Sequence, residues 1–282
     1  MIAEFKGKPL IEIPKNIPSY NFPEGDFGKE IVDEYNSVVK SKYEDNSNLK
    51  VLTFKDNVVK GSNDYAIFLM NDLVAKYGLR TVNPADTQKI IDINENFLKG
   101  FYVDLGVVLR NENGANEYLA RQLAKQAKDR NYNFSNSNPL VFKPSDLELI
   151  VDKNSSSGLG FKIKDLASPF NAPALSYKND NKKFNKTNEN GVPIFDKNGN
   201  RTNYTTENGL SRFGLYRVSD LDSGSGNLSG SGDGGRVVLL NDAVGGAPKI
   251  LMEYIDNLEK EKQDEIEKIN SRYEKALKVL KG

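Results

Sequence analysis

Residues 213–240 read FGLYRVSDLDSGSGNLSGSGDGGRVVLL. The middle is built almost wholly from Gly, Ser, Asp and Asn, and the end is an apolar run over residues 237–240. A Gly/Ser stretch of this kind reads first as a flexible linker feeding a strand. The apolar residues inside it argue otherwise. Leu215, Leu221 and Leu228 recur through the stretch and can anchor a loop that has no core of its own, with Arg217, Ser223, Ser231, Gly235, Arg236 and the run 237–240 as further structural positions. Between them stand Gly214, Tyr216, Val218, Asp220, Asp222, Gly224, Ser225, Gly226, Asn227, Gly230, Gly232, Asp233 and Gly234. These are the residue types produced when adenines of an asparagine codon are replaced. The expectation is a binding surface with exchangeable side chains at those thirteen positions: anchors buried, the positions between them exposed and ordered.

The rest of the composition narrows the chemistry. The chain has 282 residues, enough for a sizeable core, with 38% hydrophobic and 28% charged residues, a globular balance. Its 39 basic and 39 acidic residues cancel, so no broad positive field exists for nucleic acid. No apolar run reaches membrane-span length, and charges interrupt the first residues where a signal peptide would need an apolar core. The expectation is a cytoplasmic chain, with export or surface display by another route as the alternative. Cys, His and Trp are absent, which removes disulfides, thiolate and imidazole metal sites, thiol nucleophiles and the Ser-His-Asp triad. No catalytic residue, metal or cofactor is expected.

Along the chain the patterns are those of an α+β fold. Residues 1–60 read as a Pro-punctuated arm with a short strand near 10–13, an amphipathic helix over 29–43, a strand over 49–54 and a turn at Asp56-Asn57. Residues 61–246 form the main domain. Ser62 or Asn63 caps a helix over 64–77 that Gly78 closes, and Asn83-Pro84 opens a helix running to 98. Residues 102–109 suit a central strand with Gly106 at a bulge or close approach, and 116–130 a further helix. Residues 147–151 and 159–163 form a hairpin. The polar tract 179–190 reads as a mobile loop, and Asn198-Gly199 as the turn of a hairpin between 192–195 and 202–205. Residues 247–282 are a long charged helix whose apolar stripe changes phase near 259–265, an arm for self-association or one that folds back on its own domain.

Other chemistries fit less well. Asp220, Asp222, Asn227 and Asp233 lack the alternation and closing Glu of a calcium loop. GSGNLSGSGDGGR feeds a strand rather than a helix N-terminus, so it is no phosphate cradle. Tyr102, Asp104, Arg110 and Arg121 can line a cleft or equally serve the core. A carboxylate hydrolase or transferase with a Gly-rich lid, and an assembly protein acting through its last helix, are the competing readings.

The arrangement GLSRFGLYR, followed by leucine and serine anchors and GRVVLL (residues 209–240), resembles the variable region of proteins diversified by diversity-generating retroelements, nearest their archaeal, nanoarchaeal type. The resemblance implies a C-type-lectin-like domain, here with additional N-terminal helices and a long C-terminal helix. It also implies an unknown ligand, a protein or cell-surface molecule, met at the thirteen positions. The motif covers about a tenth of the chain. The trailing helix and the lack of Trp depart from the bacterial pattern.

Overall fold

The computed structural model describes residues 4–5, 8–9, 19–216, 220–241, 262–263, 266–271 and 273. The strand expected near 10–13, Arg217, Val218 and the first apolar stripe of the last helix lie outside them. The strands in chain order are β1 (Glu4–Phe5), β2 (Lys8–Pro9), β3 (Ser19–Asn21), β4 (Thr53–Lys55), β5 (Val58–Lys60), β6 (Leu79–Thr81), β7 (Val103–Leu109), β8 (Leu140–Phe142) and β9 (Leu147–Val151). They continue as β10 (Leu159–Ile163), β11 (Phe170–Asn171), β12 (Lys183–Thr187), β13 (Pro193–Phe195), β14 (Arg201–Thr205), β15 (Leu210–Tyr216), β16 (Asp220–Ser223) and β17 (Leu239–Asn241). The helices are α1 (Gly25–Lys42), α2 (Asp64–Val74), α3 (Pro84–Ile93) and α4 (Glu117–Asp129). This is the α+β class read from the sequence.

An eight-stranded sheet organises the molecule in the order β11-β8-β7-β15-β16-β14-β12-β13, antiparallel except for the β14–β16 pair. β7 is buried along its whole length. Its register against β15 slips at Gly106, which has φ +133° and whose missing Cβ would stand 2.0 Å from the Phe142 carbonyl. The slip changes which face the alternating residues serve. Val107 and Leu109 join a core with α1, α2, α4 and the β9–β10 hairpin, whereas Val103, Leu105 and Val108 pack on the other side with Phe213, Leu215, Leu221, Val238 and Leu240. Ile31, Tyr35 and Leu49, from the first sixty residues, belong to the first of these cores.

Local signals placed the helix ends. Asn63 accepts from the Ala66 N–H at the start of α2, and Asn83 and Asp86 form a reciprocal capping box on α3. Gly78 is left-handed, but the last turn before it is a 3₁₀ turn. Four expectations need correction. Residues 47–49 form a 3₁₀ turn, so the expected strand over 49–54 shrinks to β4. α3 stops at Ile93, where Asn94-Glu95-Asn96 gives the helix no favourable continuation, and Leu98 is buried from a following turn. The polar tract 179–190 contains β12, because Phe184 is completely buried and its neighbours alternate outward. β12 pairs with both β13 and β14 and so separates the two arms expected to form a hairpin across Asn198-Gly199. In the last helix, residues 262–263, 266–271 and 273 are helical and exposed. Among the described residues no helix is long and apolar enough to cross a membrane.

Candidate ligand-binding surface

β7, β15 and β16 are adjacent, and their register sets Asp104 and Asp222 on either side of Gly214. Because side chains alternate, Arg212 and Tyr216 share the face of Gly214 on β15. After β16 the chain leaves the sheet. Residues 224–236 run irregularly past Tyr102 and return to the sheet system at β17. Between this segment and the three strands lies an open cavity of about 320 Å³, lined by Tyr102, Asp104, Arg212, Gly214, Tyr216, Asp222, Ser225, Gly230 and Gly232 among others.

The floor is a charge cluster. Asp104, 1% exposed, accepts from Arg212 Nη2, from Arg212 Nε at 3.1 Å and from the Ser62 hydroxyl at 2.5 Å. Asp64, the first residue of α2, is completely buried 3.5 Å from Arg212 Nε, and neither of its carboxyl oxygens has a hydrogen-bond partner among the described residues. Burial, and then the negative charge of Asp104, push the Asp64 carboxyl well above the ordinary aspartate range, against the pull of Arg212. Burial alone would depress Arg212, but Asp104 and Asp64 beside it outweigh that and hold it above the usual arginine value. The Tyr102 ring lies 5.5 Å from the guanidinium.

The segment is tied down through its backbone, partly by internal turns (Leu228 N–H to Gly226, Gly230 N–H to Asn227, Gly235 N–H to Gly232) and largely by partners elsewhere in the chain. The Ser225 carbonyl accepts from Arg212 N–H, that of Gly226 from Asn116 Nδ2, and that of Leu228 from the free N–H of Asp64 at the head of α2. The carbonyl of Ser229 accepts from Asn63 Nδ2, that of Gly230 from Arg212 Nη1, that of Gly234 from Tyr102 N–H, and that of Gly235 from Gly61 N–H. Gly232 N–H donates to the Tyr102 phenol oxygen, and Arg236 N–H to the Tyr102 carbonyl. Leu228 provides the apolar anchor at 2% exposure, and Val237 to Leu240 are buried beyond it.

The structure therefore sorts the positions read from the sequence. Leu215, Leu221 and Leu228 are buried, as a linker would not have them. Tyr216, Asn227, Gly232 and Asp233 are exposed, and Asp222, Gly224, Ser225, Gly226, Gly230 and Gly234 are half-buried. Two of the thirteen contradict the expected exposure. Gly214 is buried because it lies on a central strand with the Val103 carbonyl 3.0 Å from where a Cβ would be. Asp220 turns inward and accepts from the Thr202 N–H at 2.5 Å. Ser231, read as structural, is exposed, though its hydroxyl accepts from Ser62 N–H.

Of the residues suggested for a cleft, Tyr102 and Asp104 reach this cavity. Arg121 pairs on the outside of α4 with Glu117. Arg110 borders a separate hollow of about 910 Å³, but its fully buried guanidinium donates only to neutral oxygens of Ser211, Leu175, Thr205 and Ser223. Burial lowers it to about 10, and it serves as a clamp between strands. Sequence reading missed Asp64, Ser62 as a carboxylate partner, Arg212 and Asn116. Asp64 looked like an ordinary first-turn acid favoured by the helix dipole, and nothing local marked the others. Among the described residues no group of three or more His, Cys, Asp or Glu is placed to hold a metal ion. Comparison with protein-family models, with curated proteins and with solved structures returns no match.

Proposed function

We propose that this chain is a non-enzymatic ligand-binding protein that presents Tyr216 and the displayed positions between 222 and 234 as an exchangeable surface on a C-type-lectin-like scaffold, in the manner of the variable proteins of diversity-generating retroelements. One observation carries the reading: the segment is held mainly by backbone bonds to distant parts of the chain and by buried leucines, with only short local bonds from the displayed Asp222, Ser225 and Asn227 side chains. The donors and acceptors that hold it belong mainly to Tyr102, Arg212, Asn63, Asn116 and the residues before α2. A surface with many interchangeable side chains has to be stabilised in this way.

The glycines support the same reading. None from Gly214 to Gly235 has the positive φ that excludes other residues, unlike Gly61, Gly106 or Gly209. A Cβ at Gly232 would meet nothing within 4 Å, and one at Gly234 only ordinary contacts, whereas the structural Gly235 is packed 2.7 Å from both Ser62 N and the Tyr102 hydroxyl. Exchange is open at Gly232 and Gly234; a Cβ at Gly226 or Gly230 would stand 2.9 Å from the Ala115 methyl or the Asn227 amide, and at Gly214 or Gly224 3.0–3.3 Å from a carbonyl, so those positions need a neighbour to shift. The ligand on this reading is a protein or cell-surface molecule. Binding by this copy is weak, since Tyr216 is the only large aromatic among the thirteen positions and strong interfaces draw on Trp, Tyr and Arg.

The test is a library randomised together at 216, 225, 227, 230, 232 and 233, with each purified member assayed by thermal unfolding. Most members should unfold cooperatively within a few degrees of the parent. A library that is mostly unfolded overturns the proposal. Sequencing the gene's surroundings supplies the genetic half: a reverse transcriptase beside an imperfect repeat of these codons is expected.

A further inference from the structure

We infer that the cavity over Gly214 is a socket for an organic cation, the ammonium or guanidinium group of a lysine or arginine side chain on a partner protein. The inference rests on the proposed binding surface and specifies what its deepest point recognises.

Three features of the cavity lead there. First, the row Asp104–Gly214–Asp222 crosses three adjacent strands, with the outer Cα atoms roughly 10 Å apart at the usual strand spacing. With no side chain at Gly214, the space between the two carboxylates stays open. Second, among the described residues that line the cavity the two carboxylates, Asp104 and Asp222, outnumber the one cation, Arg212. Arg212 directs Nε and Nη2 to Asp104 and Nη1 to the Gly230 carbonyl, and Asp64, its carboxyl without a hydrogen bond among the described residues, lies 3.5 Å from the same Nε, so the guanidinium is fully engaged. Asp222, half-buried at the mouth, takes the Gly224 N–H at 2.7 Å on one oxygen and has no ion pair among the described residues. An entering anion would face Asp222 and find the guanidinium already engaged, whereas a cation would find an uncommitted carboxylate. Third, the walls are aromatic. Tyr216, 44% exposed, and Tyr102 line the cavity, and phenol rings attract cations through their faces, as the Tyr102 ring already does Arg212. A volume of about 320 Å³, room for about ten waters, admits a cationic head group together with its aliphatic stem.

The test uses the full chain labelled with ¹⁵N at low salt, titrated with N-acetyl-L-arginine methylamide, its lysine counterpart, and the glutamine and glutamate counterparts as controls. The two cations should give saturable shifts of the Asp222, Gly224, Gly230 and Gly232 amides that weaken as salt is added. The controls should give none. Asp222→Asn, which keeps the acceptor for Gly224 N–H, should weaken the cations about tenfold, the scale of one close charge pair in a partly exposed site, while its spectrum otherwise overlays the parent's. Absent shifts with the cations, equal shifts with glutamate, or unchanged affinity in Asp222→Asn would overturn the inference. Those results would leave the broader reading standing if the library still folds, and an unfolded library would remove the broader reading whatever the titration shows.

Discussion

The backbone N–H of Gly232 donates to the phenol oxygen of Tyr102 at 2.7 Å, across 130 residues of sequence. Tyr102 also bonds the segment through its main-chain N–H to Gly234 and its carbonyl to Arg236. One residue of the central strand region thus holds three points of a loop rich in glycine. Tyr102→Phe keeps the ring and the main-chain bonds and removes only the phenol. Because the hydroxyl also donates to the Ser62 carbonyl at 3.1 Å, the loss should be about 1–3 kcal/mol in urea unfolding. Exchange of the Gly232 amide should accelerate, and an unchanged rate would show that the phenol does not order this loop.

Anchors and displayed positions should separate sharply in stability. Leu228→Ala opens a cavity at a completely enclosed site and should cost about 2–5 kcal/mol. Its exposed neighbour Asn227→Ala and the exposed Asp233→Ala should each fall within about 0.5 kcal/mol of the parent. Comparable losses at all three in chemical denaturation would mean that the displayed side chains do help hold the segment.

Two glycines close to Asp233, at 232 and 235, make a finer comparison. Gly232→Ala places a methyl in open space, and by restricting the unfolded chain it should be neutral or stabilising by up to about 1 kcal/mol. Gly235→Ala drives a methyl against Ser62 N and the Tyr102 hydroxyl and should destabilise by about 1–3 kcal/mol. Thermal melts of the two variants read the difference directly.

Among the described residues Arg212 is the only cation that contacts Asp104, whose side chain is 1% exposed. Arg212→Met leaves that carboxylate buried and uncompensated and should cost about 3–5 kcal/mol. Arg212→Met combined with Asp104→Asn removes the stranded charge as well, so the double variant should recover part of the loss. Strict additivity in the double-variant cycle would argue against a direct pair.

Asp64 gives the fold a pH dependence of definite sign. Its carboxyl is raised in the folded state, so the folded chain keeps a proton that the unfolded chain gives up above about pH 4. Its contribution to stability is therefore complete below that pH and declines as pH rises through the folded-state value. Asp64→Asn lacks this titration. Relative to the parent it should gain stability as pH rises above about 4 in urea titrations, and parallel curves would show that Asp64 is ionised in the fold.

The sequence by itself determined the pieces whose causes are local. Asn63, Asn83 and Gly78 mark helix ends because a cap is a contact within a few residues, and β9–β10 follows from two alternating runs joined by a short turn. The division of residues 213–240 into anchors and displayed positions was legible for a similar reason: leucines spaced through small polar residues cannot all stay in water. Tertiary structure decided what depends on distant partners. Strand neighbours are one such case, since Phe184 made a strand of a polar tract by filling a core that sequence spacing does not show. The inward turn of Asp220 is another, caused by a single N–H eighteen residues away. The charge cluster beneath the cavity is the clearest, because Asp64, Asp104 and Arg212 lie on a helix and two strands that only the register brings together. Residues 213–240 carry the anchors in their own sequence, but the groups that hold the loop open, and the chemistry of the hollow beneath it, come from the rest of the chain.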